Sequence, residues 1–149
     1  MDRPLFVYGT LSDPQLMAAA VGRRIEPRNV QGAVAPGFRA VFYPQRSYPA
    51  LVRAPGGRAE GLLILGLSPF ERDVLDVFEG PEYRRGIVPV LVDAELHEAD
   101  AYLPVVRVAP DAPGWSLAAW QARHKGEVLA DEARAAADLR ARLMAVRPN

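Results

Sequence analysis

Pro4-Leu5-Phe6-Val7-Tyr8-Gly9-Thr10-Leu11-Ser12-Asp13-Pro14 reads as a buried strand, a glycine turn and a helix start in eleven residues. Phe6-Val7-Tyr8 is the apolar, β-favouring run of a strand, and Gly9 ends it. Ser12 or Asp13 supplies the helix cap, Pro14 suits the first turn, and Gln15 stands three residues after Ser12 as in a capping box. The helix continues through Leu16, Met17 and the alanines and stops at Gly22. A second strand–helix junction follows downstream. Ala59 to Leu67 is an apolar strand, then Ser68, Pro69 and Glu71 form the strongest helix start in the chain. Phe70, Val74, Leu75 and Phe78 recur at helical period and face the core, and Gly80-Pro81 closes that helix.

Between these junctions, residues 28 to 53 read as short strands broken by Gly32, Pro36-Gly37 and Pro44, and Pro55-Gly56-Gly57 as a plain turn. Tyr83 to Asp93 and Ala99 to Val108 are two further strands, joined by a polar loop holding Asp93, Glu95 and Glu98. Pro110 to Gly114 is a loop. Trp115-Ser116-Leu117 starts a helical tail, with a break expected at Lys125-Gly126 and a solvated alanine–arginine face beyond it. Strands outnumber helices and do not alternate regularly with them. The pattern predicts an α+β domain with a curved or barrel-like mixed sheet, surrounding helices and a helical C-terminal tail, spanning residues 1–149 as a single domain.

Composition narrows the function. Eighteen basic residues balance eighteen acidic ones, against a dedicated nucleic-acid or anionic-membrane binder. There is no cysteine, which excludes disulfides, thiolate metal sites and cysteine nucleophiles and suits a reducing cytoplasm. No signal peptide or membrane span is visible, so the expected location is cytoplasmic. The two histidines, His97 and His124, have no ligand-like spacing; His97 reads as a loop residue and His124 as a helix C-terminus cap. No nucleophile elbow, Walker loop or dinucleotide fingerprint is present. Acid–base work by a carboxyl group is the main catalytic option left, with no metal and no cofactor expected.

Glu79 ends an amphipathic helix directly after Val77 and Phe78. Partial desolvation and the negative end of the helix dipole should both raise its pKa, while Arg84 and Arg85 oppose this if they reach it. Glu71, Asp73, Asp76 and Glu82 compete. Glu71 has a capping duty, Asp73 lies on a polar face, and Asp76 has a backbone turn to bond, which leaves Glu79 ahead by position. The turn Tyr8-Gly9-Thr10-Leu11 presents successive N–H groups near a helix start, a setting that favours a carboxylate. The bland alternatives are a surface acid, a glycine that only lets the chain turn, and Tyr8, Tyr48 and Tyr102 as core filler.

Read together, Leu5 to Leu11, Tyr48-Pro49-Ala50-Leu51, and Leu75-Asp76-Val77-Phe78-Glu79-Gly80 followed by Tyr83 and Arg84 resemble the γ-glutamylcyclotransferase-like (AIG2-like) family over roughly residues 3 to 108. Trp115 to Trp120 also resembles the end of such domains in bacterial proteins that carry an attached Nudix hydrolase domain, an activity not carried over here. The resemblance implies a small mixed barrel with a cavity at one side. It implies that Tyr8, Gly9, Thr10 and Leu11 bind the carboxylate end of a γ-glutamyl group and that Glu79 is the catalytic acid/base. Tyr48 and Tyr83, which stand in the matching motifs, and Tyr102 complete the expected substrate-binding set. The implied reaction is a metal-independent cyclisation of a γ-glutamyl amine or peptide to 5-oxoproline, of transferase or lyase type. The competing readings are a non-catalytic small-carboxylate binder and a related carboxylate-dependent enzyme acting on a different small amide. The sequence names no oligomeric state.

Overall fold

The computed structural model describes residues 3–146. Five strands close into a barrel in the order β1-β3-β2-β4-β5. Strand β1 (Leu5–Val7) is the short stave that seals it, antiparallel to β3 (Pro49–Ile64) and parallel to β5 (Glu95–Pro104). Its side chains alternate as a strand dictates. Phe6 packs into the barrel cluster with Leu63, Ala35 and Val88, while Leu5 and Val7 pack with Leu16, Met17 and Leu75 of the helices. Gly61 permits the close approach of β1, because a Cβ there would stand 2.3 Å from the Val7 carbonyl oxygen. The mixed barrel with surrounding helices agrees with the α+β expectation.

Strand β2 (Val30–Phe42) and β3 are longer and less broken than the glycine and proline positions suggest. Gly32 and Pro36-Gly37 do not end β2, and Pro55-Gly56-Gly57 lies inside β3. The register shifts between Pro36 and Phe38, where Gly37 (φ 78°) faces the segment holding Gly56 (φ 82°). Left-handed glycines here bend two paired strands around the barrel instead of stopping them. At the next hairpin the expected polar loop shrinks to two residues, Asp93 and Ala94, both at positive φ (49° and 68°) as a tight hairpin requires. Consequently β4 (Tyr83–Val92) pairs with a β5 that begins at Glu95 and ends at Pro104, and His97 is an exposed strand residue, not a loop residue. The solvated run Glu95 to Glu98 hid this strand from a reading based on hydrophobic pattern.

Helix α1 (Pro14–Val21) is capped by Asp13, which accepts from the Leu16 N–H, and ends at Gly22 in the left-handed region. Ser12 belongs instead to a 3-10 turn (Thr10–Ser12) and donates its hydroxyl to the Gly9 carbonyl, so the Ser12–Gln15 box does not form. Helix α2 (Pro69–Glu79) carries the full Ser68/Glu71 capping box, and Val74 and Leu75 are wholly buried. Arg23 also binds Glu71, at 2.6 Å. The tail is continuous: α3 (Leu117–Trp120) passes through a π turn (Gln121–Lys125) into α4 (Gly126–Val146). No break occurs at Lys125-Gly126, since Gly126 keeps helical angles (φ −61°, ψ −27°), and His124 sits mid-helix with no terminus to cap. Nor is α4 only a solvated face. It packs on α1 and α2, and Arg140 donates to the Ala19 and Ala20 carbonyls at the end of α1. No helix among the described residues is long and apolar enough to cross a membrane.

Candidate active site

A cavity of about 310 Å³ opens where β1 runs into its turn, within the range of small-molecule sites. Tyr8, Gly9, Thr10 and Leu11 line it; the β2–β3 loop adds Ser47 and Tyr48, the start of β3 adds Pro49, and the end of α2 adds Phe78 and Glu79. Tyr83 of β4 and Tyr102 of β5 also line it. Every residue singled out for the site from sequence therefore lies on one cavity wall or another. Of the five acids between residues 71 and 82, Glu79 is the one that lines it. Glu71 is held by Ser68 and Arg23, and Glu82 by Arg46 at 3.1 Å. Asp76 accepts from the Tyr102 hydroxyl at 2.7 Å and pairs with Arg85 at 3.3 Å. That pairing also keeps Arg85 off Glu79.

Glu79 is only partly exposed and has no ion pair or side-chain hydrogen bond among the described residues. Desolvation, followed by the charge of Glu132, raises its pKa to about 8. Burial was anticipated as a cause; the second acid was not. The tyrosines are arranged around this carboxyl. Tyr8 donates to the Tyr102 carbonyl and Tyr83 to the Pro49 carbonyl. Tyr43, Tyr48 and Tyr83 meet edge-on or tilted as an aromatic trio with centroids 5.5 to 6.0 Å apart. Burial pushes the phenols of Tyr8, Tyr83 and Tyr102 up, and the Glu79 charge adds to the rise in each case. They therefore stay protonated at neutral pH, as neutral walls that donate their hydroxyls to fixed partners.

Gly9 has a negative φ (−116°) with ψ at −141°, off the usual strand and helix regions, and its surroundings also demand space. A Cβ there would lie 2.8 Å from Cγ of Pro49. Gly9→Ala should displace Pro49 and, with it, the carbonyl that receives Tyr83. We expect a stability loss of about 1–3 kcal/mol, as for other overpacked sites, and weaker substrate binding. Thermal melting and KM check this; an unchanged melt and KM would mean that Pro49 gives way freely.

The positive end of α1 is already occupied by the Asp13 carboxylate, so the groups left for a substrate anion are the N–H groups of the short turn itself. Asp13 is wholly buried, and it joins that turn to the tail: Gln121 Nε2 (2.8 Å) and Lys125 Nζ (2.7 Å) both reach its Oδ2. The π turn brings these two side chains onto one acid. Burial alone would raise the Asp13 pKa, but hydrogen bonds from Lys125, Gln121 and the Leu16 N–H outweigh it and hold the carboxyl below its ordinary value. This latch seats Trp120, Val128 and Glu132 over the cavity. None of the three was singled out from sequence. Trp120 belonged to a motif in plain view, whereas Glu132 lies in an alanine–arginine stretch with no local signal. Among the described residues no three His, Asp or Glu side chains converge as a metal-ligand set.

Comparison with known proteins agrees with this architecture. A sequence model described as gamma-glutamyl cyclotransferase, AIG2-like, matches residues 5–122, extending the resemblance through Trp120 but stopping short of Glu132. AIG2-like protein A of Arabidopsis thaliana is 30% identical over 124 residues, covering 81% of this chain and 73% of its own length. A solution structure of an Arabidopsis thaliana protein superposes with a TM-score of 0.67 at 25% identity, covering 88% of this chain and 79% of that one. A solved gamma-glutamyl cyclotransferase shares the fold at a TM-score of 0.55 and 12% identity, over 99% of this chain and 89% of its own. The chain belongs to the gamma-glutamyl cyclotransferase, AIG2-like family.

Proposed function

We propose that the protein is an enzyme that cyclises a γ-glutamyl amine or γ-glutamyl peptide to 5-oxoproline, with Glu79 as general acid/base. The observation that carries this reading is the shared cavity of Glu79 and the Gly9-Thr10-Leu11 turn. The turn N–H groups receive the substrate α-carboxylate. Glu79 then faces the α-nitrogen, which shares its carbon with the carboxylate, and the γ-amide folded back against it. A pKa near 8 suits a group that must take a proton from an ammonium and return it to an amine.

The bonds balance without any further reactant. The α-nitrogen loses a proton to Glu79 and attacks the γ-carbonyl carbon, forming the ring C–N bond. The amide C–N bond then breaks, and Glu79 protonates the departing nitrogen. Over the whole reaction the α-nitrogen gives up two protons and the leaving amine gains two, departing as an ammonium. No water is consumed. Holding the chain folded supplies much of the acceleration, because the attack is intramolecular.

The same reading places the enzyme in the transferase or lyase class, free of metal and cofactor, acting on a small molecule in the cytoplasm as one domain. Among the described residues no Lys, Arg or His lines the cavity, and a domain that only bound small carboxylates would gain nothing from an acid there, whereas cyclisation needs Glu79 as its proton carrier. The test is product identity on a panel of γ-glutamyl amines and dipeptides. The reading expects 5-oxoproline and free amine in equal amounts. Glutamate instead of 5-oxoproline would mean hydrolysis of the γ-amide in place of cyclisation, and binding without turnover would mean a carboxylate-binding domain.

A further inference from the structure

Among the described residues the cavity holds two carboxyl groups, Glu79 from α2 and Glu132 from α4, and no basic side chain. Neither acid has an ion-pair partner among the described residues. Yet a γ-glutamyl amide of a neutral amine brings only one cation, its α-ammonium, and that group has to lose its charge before it can attack. A carboxylate dedicated to holding the α-ammonium would stabilise the protonated form and oppose ring closure. Glu79 already serves as the acceptor for that proton. Glu132 is thus left without a counter-charge unless the substrate carries a second, permanent one. The leaving amine is where a second charge can sit, because the α-carboxylate end is fixed at the turn.

We propose that Glu132 selects substrates whose leaving amine carries a distal positive charge, so that the natural substrate is the mono-γ-glutamyl amide of a diamine or polyamine. This inference rests on the cyclotransferase reading and narrows its substrate. The residue comes from a helix beyond the stretch shared with the family, which ends at residue 122. Helix α4 is brought over the cavity by the Asp13 latch and by its packing on α1 and α2. A γ-glutamyl amino acid is disfavoured on the same ground, since its leaving group carries a carboxylate toward Glu132.

Three substrates of equal length test it: the γ-glutamyl amides of a short diamine, of the matching alkylamine, and of the matching ω-amino acid. The wild type should favour the diamine derivative over the alkylamine one by about tenfold in kcat/KM, with the ω-amino acid derivative poorest. That preference should shrink as salt is raised. In Glu132→Gln the diamine-to-alkylamine ratio should fall toward one, a change in selectivity that a merely structural role would not produce. Calorimetric binding of the same compounds reads the preference without turnover and separates the two ideas. Preferential binding of the diamine derivative that is lost in Glu132→Gln, without release of 5-oxoproline, sinks the cyclotransferase reading and supports the charge selection. Release with no preference for the diamine, or a preference that survives in Glu132→Gln, overturns the role of Glu132. No binding and no release overturn both.

Discussion

Glu79→Gln should lose 5-oxoproline release by about 100- to 10,000-fold in kcat while keeping the fold and the cavity. The amide preserves shape and hydrogen-bonding capacity but cannot take up the α-ammonium proton. The same substitution has an opposite effect on stability. The folded pKa of Glu79 is raised from 4.5 to about 8, so between those values the native protein binds more protons than the unfolded chain. Stability from this group is therefore greatest at low pH and declines as pH rises through about 8. Each pKa unit corresponds to about 1.4 kcal/mol, which sets a ceiling of about 5 kcal/mol; solvent reaching the cavity lowers the expected effect to the order of 1–3 kcal/mol. Glu79→Gln should thus melt higher than the wild type above pH 8, and its advantage should shrink toward pH 5. A variant that is inactive and also less stable at high pH would place Glu79 in a structural role.

Asp13→Ala carries the largest expected loss of stability. The carboxyl is fully buried, caps α1 through the Leu16 N–H and holds Gln121 and Lys125 of the π turn. Breaking a buried ion pair costs about 3–5 kcal/mol when the partner stays buried. Lys125 keeps 21% exposure and can turn to water, so about 2 kcal/mol is the better figure for the charge. Loss of the cap adds about 1 kcal/mol. Together these lower Tm by about 6–12 °C. Asp13→Asn should recover the cap portion only. Because the Asp13 pKa is held below its ordinary value, its contribution is present above the ordinary aspartate range and is lost as pH falls through the folded value. The tail it secures covers the cavity, so both variants should also raise KM. Unaltered melting in Asp13→Ala would show that α4 is held by packing alone.

How much could be read beforehand follows from where each signal resides. The Ser68/Glu71 box, Gly22 and the apolar stripe of α2 are local features, and local physics fixed those elements as anticipated. The barrel bends were misread because Gly37 and Gly56 look like turn residues, and only pairing across β2 and β3 shows that they curve a strand. Ser12 lost the cap to its neighbour for a similar reason: the short turn claimed its hydroxyl for Gly9. In the site, Glu79 and the Tyr8–Leu11 turn lie in ordered motifs and were legible. Glu132 was not, since it gains meaning only when α4 is folded back by contacts with Asp13 over a hundred residues earlier in the chain. Chemistry contributed by tertiary docking leaves no periodic trace in the segment that supplies it.

The central claim is that this cavity turns the Glu79 carboxyl into a proton carrier suited to neutral pH. A carbon-13 NMR titration of the free protein tests it most directly, with the Glu79 carboxyl signal assigned by its absence in Glu79→Gln. The account predicts a midpoint at about 8, and a midpoint close to the ordinary 4.5 would contradict it.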